Sequence, residues 1–451
     1  MLERAPSHAP RVDQGLLTLS WPLLVSLALS LSLGFTDALF LSRVSDAAAG
    51  AVSAVLPAIG VFLVLFTSVA QAASNVSSQL HGAGRAESVP ATRASAFYFN
   101  LLAGGLCIAC LMVGSERIPA WLGLSSEMVA SAAPYVRVIG GAYALKAIQL
   151  VYAGILNSRG QTRWVLAEAV VTNCSNILLN LACVRGHWPI PLGPRSVAWA
   201  TLLAQSLGLG LTLFIVHGVL RIRIAWRAKL SELLARFRPV FGIGAISMLE
   251  PLGYQAAQIC MTMILTEFGT KALAARAYVL NFFMVTTVLW CTGLSWGVQI
   301  LVAHRIGERR FETASAVLMR AARLGFIGAL GLGCLVTLGS EHLLRLMTSD
   351  PELIALAKPV MAVGIAVEAG RSVNIIVGGA LRSSGDVRFT ALVGALMMWV
   401  VGVSSALLLG RSLSWGLFGV WCAMALDECS RAVVNLLRWQ TGRWKAGVAL
   451  H

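Results

Sequence analysis

The chain has 451 residues, of which 57% are hydrophobic and only 12% charged, and it carries a formal net charge of +15. A soluble chain of this length would divide into domains with polar faces, whereas here the charges gather in short clusters between apolar runs long enough to cross a hydrocarbon core. That pattern excludes a soluble enzyme or a nucleic-acid-binding domain and points to a polytopic membrane protein.

In chain order, the runs predict twelve spans, near 15–41, 51–79, 95–113, 129–156, 164–184, 196–220, 239–266, 272–302, 314–339, 353–381, 389–410 and 415–437. The hydrocarbon core offers no water to backbone groups, and barrel strands would alternate over about ten residues, so the spans are expected to be helices. Span 1 is too long for a signal peptide and lacks a convincing small-residue cleavage site. It holds Pro22 and, within "GFTDALF", Asp37. An acid there costs roughly 2.5–3.5 kcal/mol on insertion scales, so Asp37 is expected to be functional. Pro22 is expected to be a kink that lets the helix change shape when Asp37 changes charge.

Cys107 and Cys110 form a CxxC inside the apolar "LLAGGLCIACLMV", which reads as packing rather than redox chemistry. Span 5 contains "EAVVTNCSNILLNLACV", in which Asn176 and Asn180 stand four apart on one helix face, and span 6 contributes Thr201 within "VAWATLLAQ". An acid, two amides and a hydroxyl make an oxygen-lined cage suited to a proton or a hard cation such as Na⁺. The longest basic stretch, "RIRIAWRAKLSELLARFR" (221–238), reads as an amphipathic interfacial linker. Span 7 carries Glu250 and, one turn on, Tyr254. Span 10 carries Glu368, Arg371 and Asn374, three apart, as a slanting polar stripe. The stripe lines a ligand cavity or is held together by a structural Glu368–Arg371 pair.

The chain is written twice. "GILNSRGQTRW" (154–164) and "GALRSSGDVRF" (379–389) share Gly, Leu, Ser, Gly, Arg and an aromatic residue at an offset of 225, and "HGAGRAE" (81–87) meets "IGERRFE" (306–312) at the same offset. Six spans per repeat make the repeats parallel, with a cleft between two bundles in which alternating access is possible. The expected division is 1–220, a linker at 221–238, and 239–451. Most Lys and Arg lie in the N-terminal tail, the even-numbered loops and after span 12, which places both termini in the cytoplasm. The sequence contains no phosphate-binding Gly-Lys motif, and the seven histidines lie at loops, span ends or termini, so neither ATP hydrolysis nor intramembrane enzyme chemistry is expected.

Several fragments, in order, resemble the multidrug and toxic compound extrusion (MATE) family. These are the opening "LTLSWPLLVSLALSLSLGFTDALFLSRVSDAAAGAVS", the turns "GILNSRGQTR" and "GALRSSGDVR", and the C-terminal "LDECSRAVVNLLRW". The resemblance implies an all-α protein of two six-helix bundles around a central cleft, exporting small organic compounds in exchange for inward H⁺ or Na⁺. It carries the N-half cation or proton site onto Asp37, Asn176, Asn180 and Thr201. Asn180 stands where some members have Asp, leaving one formal negative charge and favouring H⁺ over a Na⁺ at Asp37. Glu250 matches an acid of one branch, whereas Arg371 stands where that branch has a second acid, with Glu368 one turn earlier. That pattern leaves a C-half cation site open and favours a ligand with an anionic or carbonyl group at Arg371. The resemblance also implies a monomer in a bacterial inner membrane, with lipid and a small organic substrate as its partners and no organic cofactor. The alternative is a lipid or lipid-linked precursor flippase of the same superfamily, for which Arg371, Arg137 and Lys146 would serve a diphosphate.

Overall fold

The computed structural model describes residues 15–187, 190 and 192–447; the basic N-terminal tail lies outside them. Among the described residues every regular element is helical. Among these residues the long helices number twelve: α1 Leu16–Ser42, α2 Asp46–Gly82, α3 Val89–Gly114, α4 Ser126–Ser158, α5 Thr162–Val184, α6 Pro194–Val219, α7 Leu230–Thr266, α8 Thr270–Gly307, α9 Phe311–Leu338, α10 Pro351–Ser384, α11 Val387–Ser412 and α12 Gly416–Gln440. Ten of them are long and apolar enough to span a bilayer. The other two, α7 and α12, have 37 and 25 residues, which suffices at 1.5 Å per residue.

The 221–238 segment has two parts. Residues 221–229 are irregular, but Leu230 begins α7, because Leu230, Leu233, Leu234 and Phe237 place apolar groups at helical spacing. The irregular part is not loose. Ile222 and Ile224 are buried, the Ala225 amide donates to the Pro90 carbonyl at 3.2 Å, and the Tyr98 hydroxyl donates to the Trp226 carbonyl at 2.9 Å.

The chain divides into two compact units, residues 1–244 and 245–451, and α7 crosses the boundary. In the first unit, Val55, Ile59 and Phe66 of α2 pack with Cys107 and Leu111 of α3 and Val136 and Ile139 of α4. Cys107 is thus a packing residue. Helices approach closely where a side chain is missing: a Cβ on Gly104 would lie 3.1 Å from Ala144 Cα, bringing α3 against α4. In the second unit, Val279 and Phe283 of α8, Val360 and Met361 of α10, and Val420 and Trp421 of α12 form the core.

The internal repeat is visible in the backbone. Gly160 (φ 69) and Gly385 (φ 98) end α4 and α10 in the left-handed region at the offset of 225. Short helices, Arg117–Trp121 and Ser340–Met347, occupy equivalent places before α4 and α10. Helix α1 continues through Pro22, and the Ser26 hydroxyl donates to the Pro22 carbonyl at 2.6 Å.

Candidate cation site and cavity

Three helices of the first unit bring the four N-half candidates together. Asp37 comes from α1, Asn176 and Asn180 from successive turns of α5, and Thr201 from α6; all are buried. The Asn176 and Asn180 amides donate to Asp37 Oδ1 at 3.1 and 3.3 Å, and the Thr201 hydroxyl donates to Oδ2 at 2.8 Å. Asn180 also donates to Asn176 Oδ1 at 3.1 Å, and Asn176 to Thr201 Oγ1 at 3.2 Å. Three donors converging on one carboxylate make its ionised form tolerable in an apolar lobe, and a proton removes the need for them. A hard cation would require the amides turned so that their oxygens face it.

A cavity of about 390 Å³ lies against this site, inside the first unit. Its walls include Leu33 and Asp37 of α1, Leu56 of α2, Tyr135 and Lys146 of α4, and Glu168 of α5. A volume of that size accommodates a drug-sized molecule. Glu168 was not singled out from sequence, although it opens the same span 5 segment that supplied Asn176 and Asn180. An acid in an apolar span was the available signal. Its Oε1 accepts from Gln149 Nε2 at 2.6 Å and from the Thr172 hydroxyl at 2.9 Å.

In the second unit, the α10 stripe does come together, but with partners from α12. Arg371 pairs with Glu368 on its own helix and donates through Nε to Glu428 Oε1 at 3.0 Å. Arg431 Nη2 lies 2.6 Å from Asp427 Oδ2 and 3.2 Å from Glu428 Oε1. Asn374 donates to Glu428 Oε2 at 2.9 Å and accepts from Asn435 at 2.9 Å. All of these side chains are buried. Three carboxylates face two guanidinium groups in this cluster. Glu250 stands apart in an ion pair with Arg382 at 2.6 Å. Tyr254 borders a void of only about 10 Å³ beside Asp427 and Glu428. The α12 residues were missed because "LDECSRAVVN" served only as a fragment of resemblance. Asp427, Glu428 and Arg431, with spacings of three and four, were its legible signal. Among the described residues, no group of three or more His, Cys, Asp or Glu is arranged to hold a metal ion.

Twelve long helices in two repeated units, buried charges and an internal cavity define a multi-pass membrane transporter. The MatE family profile matches residues 22–182 and 247–408, and the chain belongs to that family of compound-extrusion transporters. It is 28% identical over 430 residues to the uncharacterized transporter YisQ of Bacillus subtilis, covering 95% of this chain and 94% of that one. It is 23% identical over 445 residues to the probable multidrug resistance protein NorM of Thermotoga maritima, covering 98% and 95%. A crystal structure of MATE in the straight conformation superposes with a TM-score of 0.89 at 16% identity, covering 98% of this chain and 99% of that one.

Proposed function

We propose that the protein exports small organic compounds from the cell in exchange for inward protons, with Asp37 as the coupling carboxylate. The observation that carries this reading is the placement of one buried acid, met by three donors, in the wall of a drug-sized cavity. Protonation neutralises Asp37 and frees the Thr201 and asparagine donors, so the two protonation states favour different arrangements of α1, α5 and α6. Only such a difference in affinity drives a conformational change. Bending of α1 at Pro22 is part of the same reading, as is a membrane orientation with both termini in the cytoplasm. An inward proton contributes about 2.3 kcal/mol per 100 mV, enough to sustain a useful gradient of an exported solute. The single formal charge at the site favours H⁺ over Na⁺, and the NorM relative supports a drug-like substrate.

Export is measured in proteoliposomes with a pH gradient and a Na⁺ gradient imposed separately. Asp37→Asn mimics the protonated acid, so it should fold and lose export driven by the pH gradient. Export by Asp37→Asn at the wild-type rate would refute the assignment, and stimulation of the wild type by neither gradient would remove the antiport reading. The flippase reading is not favoured: Arg137 pairs with Glu116, and Arg371 is engaged by Glu368 and Glu428, so both guanidinium groups already have carboxylate partners.

A further inference from the structure

We infer that Glu168 is the specificity-determining residue of the cavity in the first unit, selecting compounds that carry a positive charge; this rests on the reading of the chain as an exporter of organic compounds. Glu168 is buried and lines the cavity. Among the described residues its carboxylate has hydrogen-bond donors, Gln149 and Thr172, but no ion-pair partner. A carboxylate within a membrane span that faces a cavity, unpaired with a base, is a functional group by default.

The geometry is built to hold it there. A Cβ added to Gly208 of α6 would overlap Thr172 Oγ1 and lie 2.7 Å from Gln149 Nε2 and 3.1 Å from Glu168 Oε1. The α6 backbone therefore presses on the Gln149–Glu168–Thr172 group, and both donors reach the same oxygen, Oε1. Glu168 lies eight residues before Asn176 on α5, about 12 Å along the helix from the Asp37 cage. Two acids, Asp37 and Glu168, thus line the same cavity. The remaining titratable groups in its wall are Lys146, Tyr135 and Tyr143, all from α4. With Asp37 ionised, the charged groups of the cavity sum to one negative charge; with Asp37 protonated they sum to zero. A cation at Glu168 is accordingly held in the first state and released in the second, which ties substrate charge to the coupling acid.

The repeat sharpens the contrast. Lys146 and Gln149 stand at the positions equivalent to Arg371 and Asn374. In the second unit that Arg and Asn are locked onto Glu428 of the bundle. In the first unit Gln149 holds Glu168 at the edge of an open space instead.

The test is equilibrium binding to purified protein in detergent, with tetraphenylphosphonium and tetraphenylborate, ions of one shape and opposite charge. The wild type should bind the phosphonium more tightly. Glu168→Gln, which keeps an acceptor for Gln149 and Thr172, should weaken the phosphonium about tenfold or more and leave the borate unchanged or tighter. A parallel loss of both ions, an unchanged ratio, or no phosphonium binding to the wild type would overturn the assignment. Should Glu168→Gln not yield folded protein, wild-type protein is treated with dicyclohexylcarbodiimide and the Glu168 adduct is mapped by mass spectrometry. The phosphonium should protect Glu168 and the borate should not; equal protection by both would overturn the assignment. No gradient enters either measurement, so failure here is separable from failure of Asp37 as the coupling acid.

Discussion

Glu428 is the residue on which the buried cluster of the second unit converges, and its removal has a calculable consequence. It accepts from Arg371, Arg431 and Asn374, with three carboxylates set against two guanidinium groups. Glu428→Ala leaves two of each sign, but deprives Arg371 Nε and Asn374 Nδ2 of their acceptor in a dry interior. Breaking such a buried pair costs about 3–5 kcal/mol. Glu428→Gln keeps an acceptor oxygen for the two arginines but sets an NH₂ against Asn374 Nδ2. Relief requires Asn374 to turn, which breaks the Asn435 bond in turn. The Gln variant should therefore cost about 1.5–3 kcal/mol, the scale of one hydrogen bond to a charged group. Arg371→Ala should be the worst of the three, since it removes a cation from a cluster already short of one. Thermal denaturation in detergent, followed as loss of monodisperse protein, ranks the variants. A Glu428→Ala midpoint indistinguishable from wild type, or a Gln variant less stable than the Ala variant, would show that the cluster does not hold α10 to α12 in this way.

Three further outcomes are expected. Gly370→Ala places a Cβ 2.8 Å from the Cys429 amide nitrogen and should cost about 1–3 kcal/mol by overpacking α10 against α12, whereas Gly331→Ala in α9, with nothing within 4 Å, should be neutral or stabilising; equal melting shifts would contradict this. In a chain stripped of its nine native cysteines, membrane-impermeant reagents added outside cells should label cysteines introduced at Arg117, His187 and Arg411 but not at Arg227, and strong labelling at 227 would invert the orientation. Ser45→Ala removes the acceptor that caps the Ala48 amide at 3.0 Å and should destabilise the start of α2 by about 1 kcal/mol, visible as faster hydrogen exchange there.

The twelve helices were legible because each is an apolar run of membrane length bounded by charge, and the twofold division because turn residues recur at one offset. The Asp37 group was legible for a narrower reason: a lone acid in an apolar span demands partners, and two asparagines four residues apart supply them from one face. Asp427 left a legible trace in Arg431 four residues on, but Glu168 and Glu428 each take a decisive partner from another helix at no fixed sequence distance. Gln149 reaches Glu168 across 19 residues and Arg371 reaches Glu428 across 57. The 390 Å³ cavity was invisible for a related reason, since an empty space is set by how side chains of five helices fail to meet.

The Thr201 hydroxyl stands within reach of two acceptors, Asp37 Oδ2 at 2.8 Å and the Val197 carbonyl of its own helix at 3.1 Å, and it has one hydrogen to give. While Asp37 is a carboxylate, the hydrogen belongs to it and not to the Val197 carbonyl. Once Asp37 carries a proton on Oδ2, that proton points at the Thr201 oxygen and the hydroxyl swings back to the α6 backbone. A single bond rotation thus reverses the polarity of the link between α1 and α6 without displacing a heavy atom. Thr201→Ser keeps this two-position rotor, whereas Thr201→Val leaves the helices joined by shape alone, blind to whether the acid beside them is charged.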